Sequence, residues 1–267
     1  MELKIFGKDS KEVGVKSLPS QFSEPVRVDL IKKAVLAIQS NARQVYGADP
    51  SAGKRHSDKV SRRRRAYRGG YGAGMARLPK KILSRNGTRF NWVASRAPNA
   101  VGGRSPHAPT SEKIFSVKLN DKERRKSIRS ALAATVNKDF VVRRGHKVPE
   151  IYPFILSDDF ENLEKTKDFV SAFSSLGFDA ELKRSSKKTI RAGKGTMRNR
   201  KYKRRVGPLV VVSSESRLRA AGNVPGIDVV SVGSINAELL APGCHAGRAV
   251  LFTKKAMEEL ESKKLFI

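Results

Sequence analysis

Two stretches of this 267-residue chain hold side chains suited to a polyanion. Between Tyr46 and Ser111, 66 residues carry 15 Lys and Arg against two acids, Asp49 and Asp58. Between Lys183 and Arg205, 23 residues carry 12 Lys and Arg and no acid. Together they account for +25 of a formal net charge of +30. Lys and Arg neutralise phosphates, and Arg adds a planar fork of donors that can also stack. The candidate RNA-binding residues of the first stretch are Lys54, Arg55, Arg62, Arg63, Arg64, Arg65, Arg68, Lys80, Lys81, Arg85, Arg89, Arg96, Arg104 and His107. Those of the second are Lys183, Arg184, Lys187, Lys188, Arg191, Lys194, Arg198, Arg200, Lys201, Lys203, Arg204 and Arg205. Tyr67, Tyr71, Phe90, Trp92 and Tyr202 lie among them. Of these, Tyr71, Trp92 and Tyr202 are candidates to stack on unpaired bases, which favours RNA over duplex DNA. For Phe90 and Trp92, a small hydrophobic knot anchoring the loop is an equal alternative.

Catalytic chemistry is not in evidence. The cluster Gly69-Gly70-Tyr71-Gly72-Ala73-Gly74-Met75 fails the dinucleotide fingerprint, because Met75 stands where its last glycine belongs and no strand precedes it. Gly193-Lys194-Gly195-Thr196 resembles a phosphate loop, but Gly195 separates the Lys from the Thr. Cys244-His245 could be a nucleophile and base only if sequence neighbours faced each other. No catalytic residue, metal ligand or cofactor is expected. A run of charge is ordinarily a solvated face or a disordered tail. Two long stretches with 27 bases and two acids exceed that explanation, and the electrostatic footprint is that of a nucleic-acid binder.

Composition removes other classes. The longest unbroken apolar run is Ala34–Ile38, far short of the roughly 18 residues of a membrane span. The single cysteine, Cys244, cannot form an internal disulfide. The first residues turn charged before an apolar segment develops, so no signal peptide is expected. Asn86-Gly87-Thr88 matches a glycosylation sequon, which is chance without secretion. The chain is expected to be soluble, in a reducing compartment, without membrane contact and without homo-oligomerisation.

The elements that must position the basic residues belong to an ordinary body. Leu3–Phe6 and Val13–Lys16 read as strands. Val28, Ile31, Val35, Ile38, Ala42 and Val45 form one helical stripe. From Gly47 to Pro109 there are nine glycines and five prolines and no sustained apolar periodicity, as expected of a long functional loop. A helix follows, with Asn120 as N-cap and Glu123 placed for a capping box. Phe154-Ile155-Leu156 reads as a strand. The next helix carries Phe160, Leu163, Val170, Phe173 and Leu176, and Gly177 ends it. Strands at 208–212, 227–232 and 249–252 alternate with short helices at 216–221 and 235–240 and a closing helix capped by Thr253. This alternation implies an α/β fold: a doubly wound, mostly parallel sheet with helices on both faces. Residues 1–45 and 112–267 are expected to form one globular domain. Residues 46–111 would be an extended loop inserted in it, and 183–205 a second, short basic insertion. The first loop is too polar to order by itself and should be largely disordered without RNA.

Six stretches carry a family resemblance. They are Arg68–Gly74 with Gly102–Pro109; Lys122–Arg125 with Ser130–Thr135; Ser157–Glu161 with Lys165-Thr166-Lys167; Ile190–Arg198; Pro225–Val230; and Asn236–Gly243 with His245–Arg248. In this order they resemble the family of ribosomal protein four of the large subunit, in its archaeal and eukaryotic branch. The chain ends at Ile267 without the long eukaryotic extension, which resembles the archaeal type.

The resemblance implies a structural constituent of the large ribosomal subunit, located in the cytoplasm. Its partners would be large-subunit ribosomal RNA, neighbouring ribosomal proteins and the nascent polypeptide. It would assist early assembly and line the peptide exit tunnel with its loop tip. By that resemblance Gly72, Ala73, Gly74, Met75 and Arg77 would lie nearest the lumen. The glycines also suit a tight reversal with positive φ. The alternative is an RNA-modifying, methyltransferase-like enzyme on an α/β fold, which would need a glycine-rich cofactor loop after the first strand. A duplex-DNA binder is a third reading, and it would bind duplex DNA and folded RNA alike.

Overall fold

The computed structural model describes every residue except 67, 68, 73, 217 and 219. Along the chain run β1 (Glu2–Phe6), β2 (Glu12–Ser17), α1 (Val28–Asn41), β3 (Lys80–Asn86), β4 (Arg89–Ala94), α2 (Asp121–Val136), α3 (Lys138–Arg143) and β5 (Ile155–Leu156). There follow α4 (Thr166–Ser175), α5 (Asp179–Ser186), β6 (Thr189–Ile190), β7 (Tyr202–Lys203), β8 (Leu209–Val212), β9 (Asp228–Ser231), α6 (Ala237–Leu240), β10 (Val250–Phe252) and α7 (Lys254–Ser262). The chain divides into two units: Met1–Ala42 with Ser116–Ile267, and Arg43–Phe115.

The first unit is mixed α/β. In place of the one doubly wound layer expected from the sequence it holds two three-stranded sheets. In one, β1 pairs antiparallel with β2 and parallel with β5. In the other, β8 pairs parallel with both β10 and β9. One parallel bridge, Leu156 to Thr253, links the ends of β5 and β10. Strand side chains alternate between faces, so a strand buried on both sides must be apolar throughout. β8 shows this. Leu209 and Val211 enter one cluster with Ile31 and Val35 of α1, Ile128 and Leu132 of α2, and Met257 and Leu260 of α7. Val210 and Val212 enter a second with Phe169 and Phe173 of α4 and Val141 of α3. Each such buried side chain contributes about 1.5–3 kcal/mol.

Several expected elements shift. α1 stops at Asn41, short of Val45, because Asn41 turns its side chain to the returning chain. Its Oδ1 accepts from the Val117 N–H at 2.8 Å, and its Nδ2 donates to the Val117 carbonyl at 3.3 Å. Asn120 does sit at the N-cap of α2, but its side chain makes no capping bond. Glu123 instead accepts from Lys33 at 2.8 Å. Phe160 lies in a 3-10 turn, Asp158–Asn162, which precedes α4. That turn delivers the buried Glu161 to Ser213 and Thr253. Its carboxylate accepts from the Ser213 N–H at 2.9 Å, from Ser213 Oγ at 2.6 Å and from Thr253 Oγ1 at 2.5 Å. In place of the short helix expected at 216–221 there is a 3-10 turn at Ala220–Asn223, and 217 and 219 lie outside the described residues. α3 was not foreseen. Gly177, with φ +83, follows α4 as the left-handed cap that only glycine adopts without strain. Thr253 caps α7 by accepting from Ala256 N.

No helix among the described residues is long and apolar enough to cross a membrane.

Candidate nucleic-acid interface

Residues 46–111 contain more secondary structure than their composition suggested. β3 and β4 form an antiparallel hairpin in which Asn86 pairs with Arg89 across the two-residue turn Gly87-Thr88, with Gly87 at φ +58. Glycine at the first position of a two-residue turn between strands is a hairpin signal, so this element was legible where only a sequon was noted. Lys59 bridges Lys80 in an antiparallel pair, which adds the incoming chain to the hairpin edge. Gly70 N donates to the Ser61 carbonyl at 2.8 Å. Gly72 and Gly74 have φ of +77 and +62, as the expected tight reversal requires. Arg68 and Ala73 lie outside the described residues.

The two acids of this stretch are both used internally. Asp58 is fully buried, accepts from Ser95 Oγ at 3.0 Å and pairs with Arg96 Nη2 at 2.7 Å. Arg96 also donates to the carbonyl of Lys54. Asp49 pairs with Arg55. Arg55 and Arg96, offered as RNA contacts, are therefore also structural. Sequence reasoning passed over Asp58. A single acid inside a basic run was the available signal, because a lone carboxylate among cations is readily paired.

The aromatic candidates do not stand free. Arg77 lies 4.4 Å and Arg64 6.0 Å from the Tyr71 ring centroid. Phe90 and Trp92 are 6.3 Å apart, with Arg85 over the Phe90 ring at 5.3 Å. Half-buried Trp92 lines a cleft with Gly70, Met75, Arg77 and Leu78. Near the ends of the unit, Tyr46 stacks on Phe115, and Arg43 lies 4.2 Å from the Phe115 ring. Gly47 is pressed against the returning leg, where an added Cβ would lie 2.1 Å from Ser111 N.

The second basic stretch begins inside α5, so Lys183 and Arg184 are helical residues of the body. Arg184 is committed to Glu181, to which Nε donates at 2.7 Å and Nη2 at 2.6 Å, and to the Val206 carbonyl at 2.7 Å. His146 Nδ1 and Lys147 N–H reach the same carboxylate at 2.6 and 2.9 Å. Burial alone would raise the Glu181 pKa, but the bonds from Arg184, His146 and Lys147 outweigh it and hold the acid at about 2. Burial also lowers the His146 pKa, despite the partly opposing attraction of Glu181.

Beyond α5 the chain forms a small antiparallel ribbon, β6 with β7, extended by Arg191 N donating to the Lys201 carbonyl at 2.8 Å. Its tip is a 3-10 turn, Thr196–Arg198, and Arg191 Nε donates across it to the Arg200 carbonyl. Lys188 Nζ lies 3.6 Å from the centroid of the Tyr202 ring, which is exposed. No ion pair among the described residues engages Lys187, Lys188, Lys194, Arg198, Lys201, Lys203, Arg204 or Arg205. The described residues hold no group of side chains able to bind a metal ion. Cys244 and His245 belong to a turn with positive φ at Cys244, away from both basic stretches in sequence.

A family model described as the ribosomal protein L4/L1 family matches residues 16–263. The large ribosomal subunit protein uL4 of Nanoarchaeum equitans is 46% identical over 268 residues, covering 100% of each chain. Its counterpart from Halobacterium salinarum is 41% identical over 98% of this chain and 100% of its own. That of Methanopyrus kandleri is 42% identical over 98% and 99%.

Proposed function

This chain belongs to the ribosomal protein L4/L1 family and is a constituent of the large ribosomal subunit in the cytoplasm, and we propose how its parts serve that role. The basic unit at 46–111 and the ribbon within 183–205 are the parts that bind ribosomal RNA. One observation carries this: the only two acids of the first stretch are already paired, and the second has none. The remaining cations repel one another until a polyanion arrives. The family reading makes the chain structural rather than catalytic, and gives a methyltransferase-like activity no support.

Finer roles follow from the same reading. Arg62, Arg63, Arg64 and Arg65 before the glycine reversal, and Lys80, Lys81, Arg85 and Arg89 after it, grip RNA on both legs. Lys54, Arg104 and His107 extend that grip toward the base of the loop. The tip residues Gly72, Gly74, Met75 and Arg77 approach the nascent polypeptide, and neighbouring ribosomal proteins complete the surroundings. The body, residues 1–45 with 112–267, acts as one domain whose two sheets are halves of a doubly wound layer. The test is whether the native protein co-sediments with the large subunit through a high-salt wash. Retention is expected, and quantitative release at moderate salt would defeat the reading.

A further inference from the structure

Outside both basic stretches, the end of α3 and the turn at 243–247 enclose a basic pocket. Val28, Phe140, Arg143, Arg144, Cys244 and His245 line it. Left-handed Gly243 and Cys244, with φ of 72 and 67, shape the turn. Gly247 seats it: an added Cβ there would lie 2.6 Å from the carbonyl carbon and oxygen of Phe140. Arg144 then donates to the carbonyl oxygen of His245 across the junction.

The charges around this pocket are unbalanced. Arg248 is neutralised by Asp228 and Arg184 by Glu181. Among the described residues, neither Arg143 nor Arg144 has an ion pair. Burial, and then Arg248 and Arg184, lower the Arg144 pKa to about 10. An anion in the pocket would give both guanidinium groups a partner of opposite charge.

We infer that this pocket receives a phosphate of an RNA strand, held by Arg143 and Arg144, with the half-buried Phe140 ring as an apolar wall for the adjoining ribose or base. Guanidinium forks match phosphate oxygens, and a flat ring beside them suits a nucleotide better than an acidic side chain. The inference rests on the RNA-binding reading and extends it to the body.

The only cysteine, Cys244, lines the pocket and reports on it. The experiment follows the reaction of the full-length protein with a thiol reagent, with and without a short unpaired RNA oligonucleotide. RNA at about ten times its Kd for the pocket, read as the concentration that half-protects Cys244, should slow the reaction about tenfold, because only the free pocket reacts. The double variant Arg143→Gln with Arg144→Gln should still bind the RNA through the basic stretches but lose the protection. Should that variant unfold, Arg143→Gln alone, at an exposed position, should weaken it. RNA binding without protection of Cys244, or protection that survives in a folded variant, overturns the inference. Protection by a polyglutamate peptide but not by RNA also overturns it and makes the pocket a protein-docking site. Failure of the wild type to bind RNA at all would instead defeat the RNA-binding reading beneath it.

Discussion

Glu181 shows how few side chains hold the second basic stretch to the body. It is fully buried and receives Arg184, His146 and a backbone N–H. Removing one partner of a buried pair leaves the other charge unsatisfied. Glu181→Gln should therefore destabilise the body by about 3–5 kcal/mol, read from denaturant unfolding. The acid limb follows from the depressed pKa. The contribution of Glu181 is complete above its unfolded value of 4.5 and is lost as pH falls toward the folded value of about 2. The melting temperature of the wild type should thus fall more steeply across that window than that of Glu181→Gln. Parallel slopes would mean that Glu181 is not the titrating group. None of this was legible in the sequence. His146, Glu181 and Arg184 are brought together only by the fold, and Arg184 read simply as another cation in a basic run.

Elements were read best where one force acts alone. β8 needs apolar residues on both faces, and its Leu-Val-Val-Val run announced it. α4 was found by its aromatic stripe, yet Phe160 was assigned to it because a 3-10 turn can present an apolar residue at a compatible spacing. The β3–β4 hairpin was missed because its side chains are mostly exposed and leave no clean alternation. Local turn chemistry, Gly87 leading the two-residue turn, was its clearest mark. Gly87→Val tests the turn. A β-branched residue at φ +58 costs about 1–2 kcal/mol, so the hairpin amides should exchange faster with solvent while those of β8 stay unchanged. Equal protection in both proteins would show that the hairpin does not depend on its turn.

At the scale of the molecule, the charge is segregated rather than spread. If a third of the 27 basic residues in the two stretches meet phosphate, the log–log salt slope of RNA binding should be about −6 to −8. A slope shallower than about −2 would contradict the electrostatic reading. Replacing Arg43–Phe115 with a short glycine linker should leave the body unfolding cooperatively, since both cores are built without that segment. Loss of near-ultraviolet circular dichroism would show that the body needs it. Asn41 and Val117 hold the departing and returning chain together at one point by two hydrogen bonds. That clasp has a consequence for loop-closure entropy. Once the ends are pinned, doubling the intervening chain costs only about 0.6 kcal/mol. The body therefore exerts almost no selection on how long the excursion is, and its length is free to follow the distance to whatever lies at its tip.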